Sequence, residues 1–437
     1  MMRVLDADAF RRFWEKRQAA QDEVEVQAAV REIITMVRQS GDEALCRLTA
    51  RFDGVEIDAK DFLVTQQEIE QAYQEVPADF VLALRKAVQR LRRFHGRVKP
   101  ASWHDASGAG ICGEIWRPLR RVGVYVPGGR AAYPSSVLMN VIPAQEAGVA
   151  EIVMCTPPGP NGRVHPAVLV AAAELGVEQV FRLGGAQAVA AMAYGTESVP
   201  AVDKIVGPGN KYVAAAKREV FGVVGIDMLA GPSEVVILAD KSARPDWVAA
   251  DLQAQAEHDP DAVAILVAAD TDLIARVGEE LARQLAELPR REIAQVAWQQ
   301  AGALVRCADL TEGLELVNWL APEHLVLAVC EPFALLGQVE NAGAVFLGAV
   351  PQAAGDYAAG PNHVLPTGGT ARYASPLGVW DFLKRSSFVY VGDAGMPDLI
   401  AVSAQLASYE GLTGHARALL MRSEGGRADG KDGTDRA

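Results

Sequence analysis

Hydrophobic residues recur at helical spacing through about the first hundred positions of the chain. Gln27–Arg38 and Phe80–His95 carry apolar side chains three and four residues apart, which predicts two amphipathic helices. Phe52-Asp53-Gly54 interrupts the pattern between them, because Asp-Gly favours a turn. His95 and His104 stand among polar residues, so we expect both side chains to lie on the solvated surface.

From Val122 onwards the pattern changes to short apolar runs that alternate with helix-like segments. Apolar runs separated by helices of about 10 to 15 residues predict a parallel β-sheet with crossover helices. The predicted strands are Val122–Val126, Glu151–Cys155, Gln179–Leu183 and Lys204–Val206. The helices between and after them are predicted to start near Ser135, Pro166, Ala186 and Lys211.

The same alternation returns after residue 233 and predicts a second α/β unit. Pro245 suits the first turn of a helix, and Asp259-Pro260 ends it, so Pro245–Asp259 is predicted as helical. The predicted strands of this unit are Val235–Ala239, Ala262–Ala268, Ala303–Val305, Val326–Val329 and Ala344–Leu347.

The last hundred residues contain two irregular segments. Gly355–Thr367 is predicted as a long polar loop, and loops of that length inside a compact domain are usually functional. From about Gly378 a strand-like Ser387–Val391 precedes helices that reach Leu420. Ser423–Ala437 is rich in Gly, Asp and Arg, and we expect it to be disordered.

Composition narrows the class of protein. The 437 residues are half apolar and carry a net charge of −13 without a Lys/Arg cluster, which argues against nucleic-acid and anionic-membrane partners. No apolar run reaches the length of a membrane span, and the N-terminus lacks the apolar core of a signal peptide. The five cysteines are scattered and form no CxxC pair, so a reduced cytoplasm is the expected compartment.

Three of the predicted strands end in a glycine-containing turn that opens a helix. The turns are Pro127-Gly128-Gly129, Gly184-Gly185-Ala186 and Gly207-Pro208-Gly209-Asn210. Parallel strands place such turns at one edge of the sheet, where open α/β sheets bind ligands, so a nucleotide-binding edge is one interpretation. Three tight connections without a ligand remain the other. The chain has no GxGxxG motif, so a dinucleotide would have to bind in a variant geometry.

Four donor side chains stand in separate stretches of the chain. Gln255 and His258 project together from the end of the predicted Pro245–Asp259 helix, where the negative end of the helix dipole favours a cation. Asp356 lies in the long loop, and His415 lies near the C-terminus. Such a nitrogen and oxygen set would suit zinc, with manganese or cobalt as replacements, but spacing alone cannot bring the four residues together.

Glu323-His324 is a second chemical candidate. In the turn that Pro322 starts, both side chains can face one site, where the imidazole could take an alcohol proton and the carboxylate could activate a water. The alternative is a solvated turn before a strand. Cys155, at a strand end, raises a covalent thiohemiacetal mechanism, but a buried structural cysteine is the favoured interpretation.

Taken together, nine motifs along the chain resemble the histidinol dehydrogenase family. The resemblance extends from about Asp22 to Arg422, and the motifs occur in the family's order. They are Gly123–Gly129, Gly184–Gln187, Gly207–Asn210, Ala230–Glu234, Gln255–His258, Ala321–Leu325, Gly355–Tyr357, Asn362–Thr367 and Glu410–His415.

The resemblance implies an α/β fold with two incomplete Rossmann-like parallel-sheet domains and small helical N- and C-terminal segments. Residues 1–21 would form the N-terminal segment, and 22–124 with 233–377 the first domain, which carries the zinc and catalytic residues. Residues 125–232 would form the NAD-binding domain, and 378–437 a segment that completes the partner subunit's site.

The resemblance also assigns roles to individual residues. His324 would be the general base for the alcohol, and Glu323 would activate the water that adds to the aldehyde. The implied zinc ligands are Gln255, His258, Asp356 and His415. The implied substrate contacts are Ser233, Gln255, His258, His324, Asp356, Glu410 and His415, with His363 as a weaker candidate. The implied NAD contacts are Tyr125, Gln187 and Asn210.

By resemblance, the reaction is the NAD-dependent oxidation of L-histidinol to L-histidine through the aldehyde, the last step of histidine biosynthesis. One zinc ion per subunit would hold the substrate, and the enzyme would be a homodimer with shared sites. The alternatives are a related dehydrogenase of another small polar alcohol, such as a sulfonated diol, a zinc hydrolase, or a non-enzymatic metal- or nucleotide-binding protein. Glu410 favours an amine-bearing substrate over an anionic one.

Overall fold

A computed structural model describes residues 2–19, 24–106, 108, 110–128 and 132–425. The chain divides into two compact units. The first consists of Met1–Lys99 with Leu119–Phe382, and the second of Pro100–Pro118 with Leu383–Ala437.

Helices and strands alternate along most of the chain. The helices are α1 (Ala7–Ala19), α2 (Val24–Phe52), α3 (Gln66–Glu75), α4 (Ala78–His95), α5 (Pro134–Ala147), α6 (Pro166–Glu174), α7 (Gly185–Tyr194), α8 (Lys211–Val220), α9 (Pro245–Ala256), α10 (Thr271–Glu287), α11 (Arg291–Gln300), α12 (Leu310–Leu320), α13 (Pro332–Leu336), α14 (Ala353–Tyr357), α15 (Met396–Tyr409) and α16 (Thr413–Gly425). The strands are β1 (Val4–Asp6), β2 (Trp103–Asp105), β3 (Gly110–Pro118), β4 (Arg121–Tyr125), β5 (Glu151–Cys155), β6 (Gln179–Phe181), β7 (Lys204–Val206), β8 (Gly225–Ile226), β9 (Glu234–Ala239), β10 (Val263–Ala268), β11 (Ala303–Arg306), β12 (His324–Ala328), β13 (Ala344–Leu347) and β14 (Leu383–Val391).

A six-stranded parallel sheet in the first unit has the order β1-β11-β10-β9-β12-β13. Its central strands are buried on both faces, which explains their continuous apolar sequences. Val235 and Ile237 of β9 pack with α9, α10 and α11, while Val236 and Leu238 pack on the opposite face with α1 and α12. Strand β10, the next strand along the chain, pairs with one edge of β9, and β12 pairs with the other edge.

A five-stranded parallel sheet in the same unit has the order β6-β5-β4-β7-β8. One face is covered by α2, α7 and α8. Because β4, β6 and β7 are parallel, the three glycine turns that follow them lie at the carboxyl edge of this sheet, as predicted. Gly129 of the first turn lies outside the described residues.

The second unit contains an antiparallel sheet of order β14-β3-β2 and the helices α15 and α16. Helix α15 carries an exposed apolar stripe, because its apolar residues at intervals of three and four share one face. The stripe consists of Leu399, Val402, Leu406 and Tyr409. Strand β14 exposes Val389 and Tyr390 as well.

The predicted α/β class is confirmed, and so are most of the predicted elements. The predicted strands at 151–155, 204–206 and 344–347 match β5, β7 and β13 residue for residue. The predicted helices at 27–38 and 80–95 lie within α2 and α4, and α2 ends at Phe52 as the Phe52-Asp53-Gly54 break predicted.

Other expectations need correction. His95 is 1% exposed rather than solvated, because α4 turns this residue inward, and burial lowers its pKa to about 4. The predicted loop Gly355–Thr367 begins inside a short helix, α14, and Val364–Thr367 is buried. Strands β1, β2 and β3 were not predicted.

The predicted domain boundaries stay a prediction. The predicted disorder of Ser423–Ala437 falls mostly on residues 426–437, which lie outside the described residues.

Candidate active site

The predicted catalytic pair lies at the amino edge of the six-stranded sheet. Glu323 precedes β12, and His324 is its first residue, paired in register with Val235 of β9. Both side chains are buried, at 5% and 4% exposure. The prediction of a turn before a strand was therefore right about position, but the solvated alternative is wrong.

One backbone contact fixes the proton position on His324. Its Nδ1 lies 2.9 Å from the carbonyl oxygen of Glu234, the first residue of β9. A carbonyl can only accept, so Nδ1 carries a hydrogen, and in the neutral form of the ring the lone pair lies on Nε2. Nε2 is buried and has no hydrogen-bond partner among the described residues. The ring therefore presents its basic nitrogen away from the β9 backbone.

Two carboxyl groups lie beside this imidazole. Glu323 Oε2 lies 3.5 Å from His324 Nδ1, and Asp356 Oδ1 lies 3.5 Å from His324 Nε2. Burial alone would lower the pKa of His324, but the carboxylates of Glu323 and Asp356 raise it to about 10. By the same electrostatics, a cation held by Asp356 would offset one of these charges and favour the neutral ring.

Glu234 joins both catalytic residues to the β9 backbone. Its backbone N–H donates to Glu323 Oε2 at 2.7 Å, while its carbonyl accepts from His324. Its own side chain accepts a hydrogen bond from the backbone N–H of Gly368 at 3.2 Å. Burial and the neighbouring Glu323 raise the pKa of Glu234 to about 8, so this carboxyl is protonated at neutral pH.

The predicted zinc ligands of the first unit come from two neighbouring segments. Gln255 lies in the last turn of α9 and is 1% exposed, whereas His258 lies just beyond the helix and is exposed. Asp356 lies in α14. The two segments meet where Gln352 Nε2 donates to Gln255 Oε1 at 3.5 Å.

The residues of this region fit a metal site in their chemistry. An amide oxygen, an imidazole and a carboxylate are ligands that zinc accepts. The buried Nε2 of His324 lacks a partner among the described residues, and in the neutral ring its lone pair remains for a ligand. Across the same residues, no three His, Cys, Asp or Glu side chains converge closely enough to hold a metal ion.

The remaining predicted site residues are divided between the two units. Ser233 is half-buried directly before β9, and the Nδ1 of His363 donates to the backbone oxygen of Asp356 at 2.8 Å. Glu410 and His415 belong to the second unit, where both are exposed.

A cavity of about 1010 Å³ lies at the carboxyl edge of the five-stranded sheet. It is lined by all three predicted NAD contacts, Tyr125, Gln187 and Asn210. Tyr125 is buried, and its hydroxyl accepts the N–H of Gly185 at 3.0 Å, at the start of α7. Gln187 is 1% exposed with its Nε2 unpartnered among the described residues. The cavity therefore offers an unused donor beside a helix N-terminus, which suits a phosphate-containing ligand.

A buried ion pair fixes the third glycine turn of this cavity. Lys217 and Asp227 contact each other with almost no exposure. Lys217 Nζ donates to the carbonyl of Gly207 at 3.0 Å, and Asp227 Oδ2 accepts the Gly207 N–H at 2.8 Å. Gly207 has φ of +115°, and a Cβ there would collide with the backbone oxygen of Tyr125. The turn that leads to Asn210 is therefore held rigidly.

Sequence comparison places the chain in a known family. The sequence model of histidinol dehydrogenase matches residues 15–423. The histidinol dehydrogenase of Moorella thermoacetica is 53% identical over 426 residues, which cover 97% of this chain and 100% of that protein.

The chain belongs to the histidinol dehydrogenase family.

Further members agree with this placement. The histidinol dehydrogenase of Geobacter metallireducens is 52% identical over 404 residues and covers 92% of each chain. The crystal structure of histidinol dehydrogenase from Elizabethkingia anophelis matches with a TM-score of 0.89 at 36% identity, covering 94% of each chain. The predicted family is confirmed, and with it the predicted class of enzyme, an oxidoreductase.

Cys155 is the residue on which a covalent thiohemiacetal mechanism would depend. Cys155 is fully buried, and burial raises the pKa of its thiol, which disfavours a covalent role and supports the structural interpretation. Across the described helices, none combines the length and apolar character that a membrane span requires.

Several site residues could not be found from sequence spacing. Glu234 acts through its backbone, and any residue type except proline could supply the same two groups. Gln352 and the Lys217–Asp227 pair become neighbours of the site only through tertiary contacts. For the Lys217–Asp227 ion pair, the sequence contains one signal, because Lys217 lies among the apolar residues that form the buried face of α8.

Proposed function

We propose that the chain oxidises L-histidinol to L-histidine in two NAD-dependent steps, with zinc bound by Gln255, His258, Asp356 and His415. The observation that carries the proposal is the buried His324, whose unpartnered Nε2 lies 3.5 Å from Asp356 beside Glu323. The names of the chain's relatives indicate the substrate. Zinc would anchor and orient the substrate, and NAD would supply the hydride acceptor for each oxidation.

The chain's own residues would handle the protons. His324 Nε2 takes the hydroxyl proton of the alcohol as the carbon–hydrogen bond gives up its hydride. Glu323 then takes a proton from the water that adds to the resulting aldehyde. Once a second NAD has replaced NADH and His324 has released its proton, the hydrate loses its hydride to NAD and a hydroxyl proton to His324. Both acceptors are supported by β9 through Glu234, so neither has to reorganise between the steps.

Ser233, Glu410 and His363 are proposed to contact the substrate together with the zinc ligands. A carboxylate at Glu410 would suit the amino group of histidinol. Tyr125, Gln187 and Asn210 are proposed NAD contacts, supported by their place around one cavity. A cytoplasmic location is supported by the five free cysteines.

The test is absorbance in the NADH band after histidinol is added to the zinc-loaded enzyme. We expect about two NADH per histidinol, since two hydrides leave the substrate, and loss of the signal after chelation with recovery on adding zinc. A sulfonated diol serves as the matched rival substrate. NADH from the diol but not from histidinol would establish the rival dehydrogenase, and product without nicotinamide would favour a hydrolase.

We further propose a homodimer in which the second unit completes the partner's site. The exposed stripe on α15 supports an interface, because monomers rarely expose contiguous apolar faces of this kind. Glu410 and His415 lie in the same unit, directly after α15 and within α16.

Mixed dimers test the shared site. One chain carries Glu323→Gln with His324→Gln, the other carries His415→Ala, and each homodimer should be inactive. After the two are mixed and reassociated, a heterodimer has one site with all residues intact, so about a quarter of the wild-type sites should return. Recovery that stays at the level of the separate mutants would show that each site is built from one chain.

A further inference from the structure

The dinucleotide cavity lacks a carboxylate at the place where Rossmann-type sheets carry one. In those sheets an acidic residue near the end of the second strand binds the ribose hydroxyls. The corresponding strand here is β5, which crosses over from β4, and it runs into Cys155, Thr156 and Pro157. None of the three can supply that charge at neutral pH.

Asp53 brings a carboxylate to this edge from outside the sheet. It directly follows α2, and its N–H donates to the Thr49 carbonyl at 2.9 Å. Its Oδ1 lies 3.3 Å from where a Cβ on Gly184 would stand, and Pro157 touches the same position. Asp53 therefore lies where β5 and β6 end, and it lines the cavity.

The Asp53 carboxylate has an unused acceptor. Its Oδ2 is buried and receives no hydrogen bond from any residue that the structure describes. Burial raises the pKa of Asp53 to about 6, so the group is still ionised at neutral pH. Two arginines line the cavity: Arg163 pairs with Glu75 at 3.1 Å, and the guanidinium of Arg51 lies 5.0 Å from the centre of the Phe52 ring. A carboxylate oxygen that is buried without a donor is costly, so this group favours a ligand that donates a hydrogen bond to it.

We propose that Asp53 is the ribose-recognition residue of this cavity, accepting hydrogen bonds from the hydroxyls of the adenine ribose of NAD and rejecting the 2′-phosphate of NADP. The inference rests on the proposed binding of NAD in the cavity. A ribose hydroxyl supplies the missing donor, whereas a phosphate in its place brings a like charge against Asp53 and leaves Oδ2 unpartnered. Asp53 thus sets which dinucleotide the enzyme accepts.

The test uses the zinc-loaded enzyme without substrate, so its readout is binding and not turnover. The dissociation constants of NADH and NADPH are measured by bound-cofactor fluorescence and by calorimetry for the wild type, Asp53→Asn and Asp53→Ala. We expect NADH to bind about 10-fold or more weakly to both variants, as for a lost hydrogen bond to a charged group. NADPH should bind no more weakly than before, so the preference for NADH should shrink.

Asp58→Asn is the matched control, because Asp58 is an exposed carboxylate of the same segment, lies 3.6 Å from Lys60 and does not line the cavity. It should leave both dissociation constants unchanged. Thermal unfolding without cofactor separates binding from folding. The raised pKa of Asp53 means that ionisation disfavours the native state above that pKa, so Asp53→Asn should raise Tm at about pH 8.

Three other binding results would contradict the role proposed for Asp53, and a fourth would contradict NAD binding itself. Equal weakening of NADH and NADPH would show that Asp53 only shapes the cavity, and unchanged NADH binding would remove the ribose contact. A wild type that binds both cofactors alike would exclude discrimination by Asp53. A wild type that binds neither would overturn the proposed function itself.

Discussion

Replacing His324 by glutamine is expected to lower kcat for histidinol oxidation by about 100- to 10,000-fold, the usual contribution of a general base. Glutamine keeps a polar side chain of similar length but cannot accept a proton at neutral pH. The hydrogen bond to the Glu234 carbonyl can still form through the amide nitrogen. Steady-state kinetics with saturating histidinol and NAD measure the loss, and elemental analysis should find unchanged zinc.

His104→Gln is the matched control for this substitution, since His104 is an exposed histidine of β2 in the second unit. It should behave as the wild type. If His324→Gln stays within about tenfold of wild-type kcat, the proton passes to another group, and the role given to His324 is wrong. Loss of zinc together with activity would instead make His324 part of the metal site.

Substitution of a zinc ligand should have the second large effect. His258→Ala removes a neutral nitrogen donor, and Asp356→Ala removes the carboxylate of the set. We expect zinc, measured by elemental analysis after dialysis, to fall from about one per subunit to near zero in both variants, with loss of NADH production. Excess zinc should restore activity at most partly, because the ligand geometry is incomplete.

Asp251→Asn provides the control for the metal experiment. Asp251 lies one turn before Gln255 on α9. Its substitution removes a carboxylate of the same helix that is not assigned to the metal. This variant should keep its zinc. Full zinc in both His258→Ala and Asp356→Ala would show that the ligand assignment is wrong, even if activity is lost.

The sequence predicted strands well where packing alone decides them. Central strands such as β9 and β10 are buried on both faces, and their unbroken apolar runs identify them. Strand β1 has only three residues, too few for a periodic pattern, and it exists because it pairs with β11. Strand β2 is exposed along its whole length, so no hydrophobic alternation marks it.

The candidate site was predictable in its residue types but not in its support. Motifs located Glu323 and His324, and the structure then added the Glu234 backbone that orders both. His95 shows the opposite limit. Its polar neighbours in sequence indicated solvent, but helical periodicity places it on the buried face of α4 with Leu84 and Leu91. Local composition is a poor guide when one side of an amphipathic helix is packed.

The position of the catalytic pair at the amino edge of the six-stranded sheet bears on how the enzyme can diverge. In most α/β enzymes, chemistry lies in the loops after the strands, so changes in those loops alter activity. Here the strand register of β9 and β12 fixes Glu323 and His324. The exposed turn after β9, at Lys241 and Ser242, lies at the other end of the strand. The length and sequence of that turn can therefore change during evolution without altering the residues that carry out proton transfer.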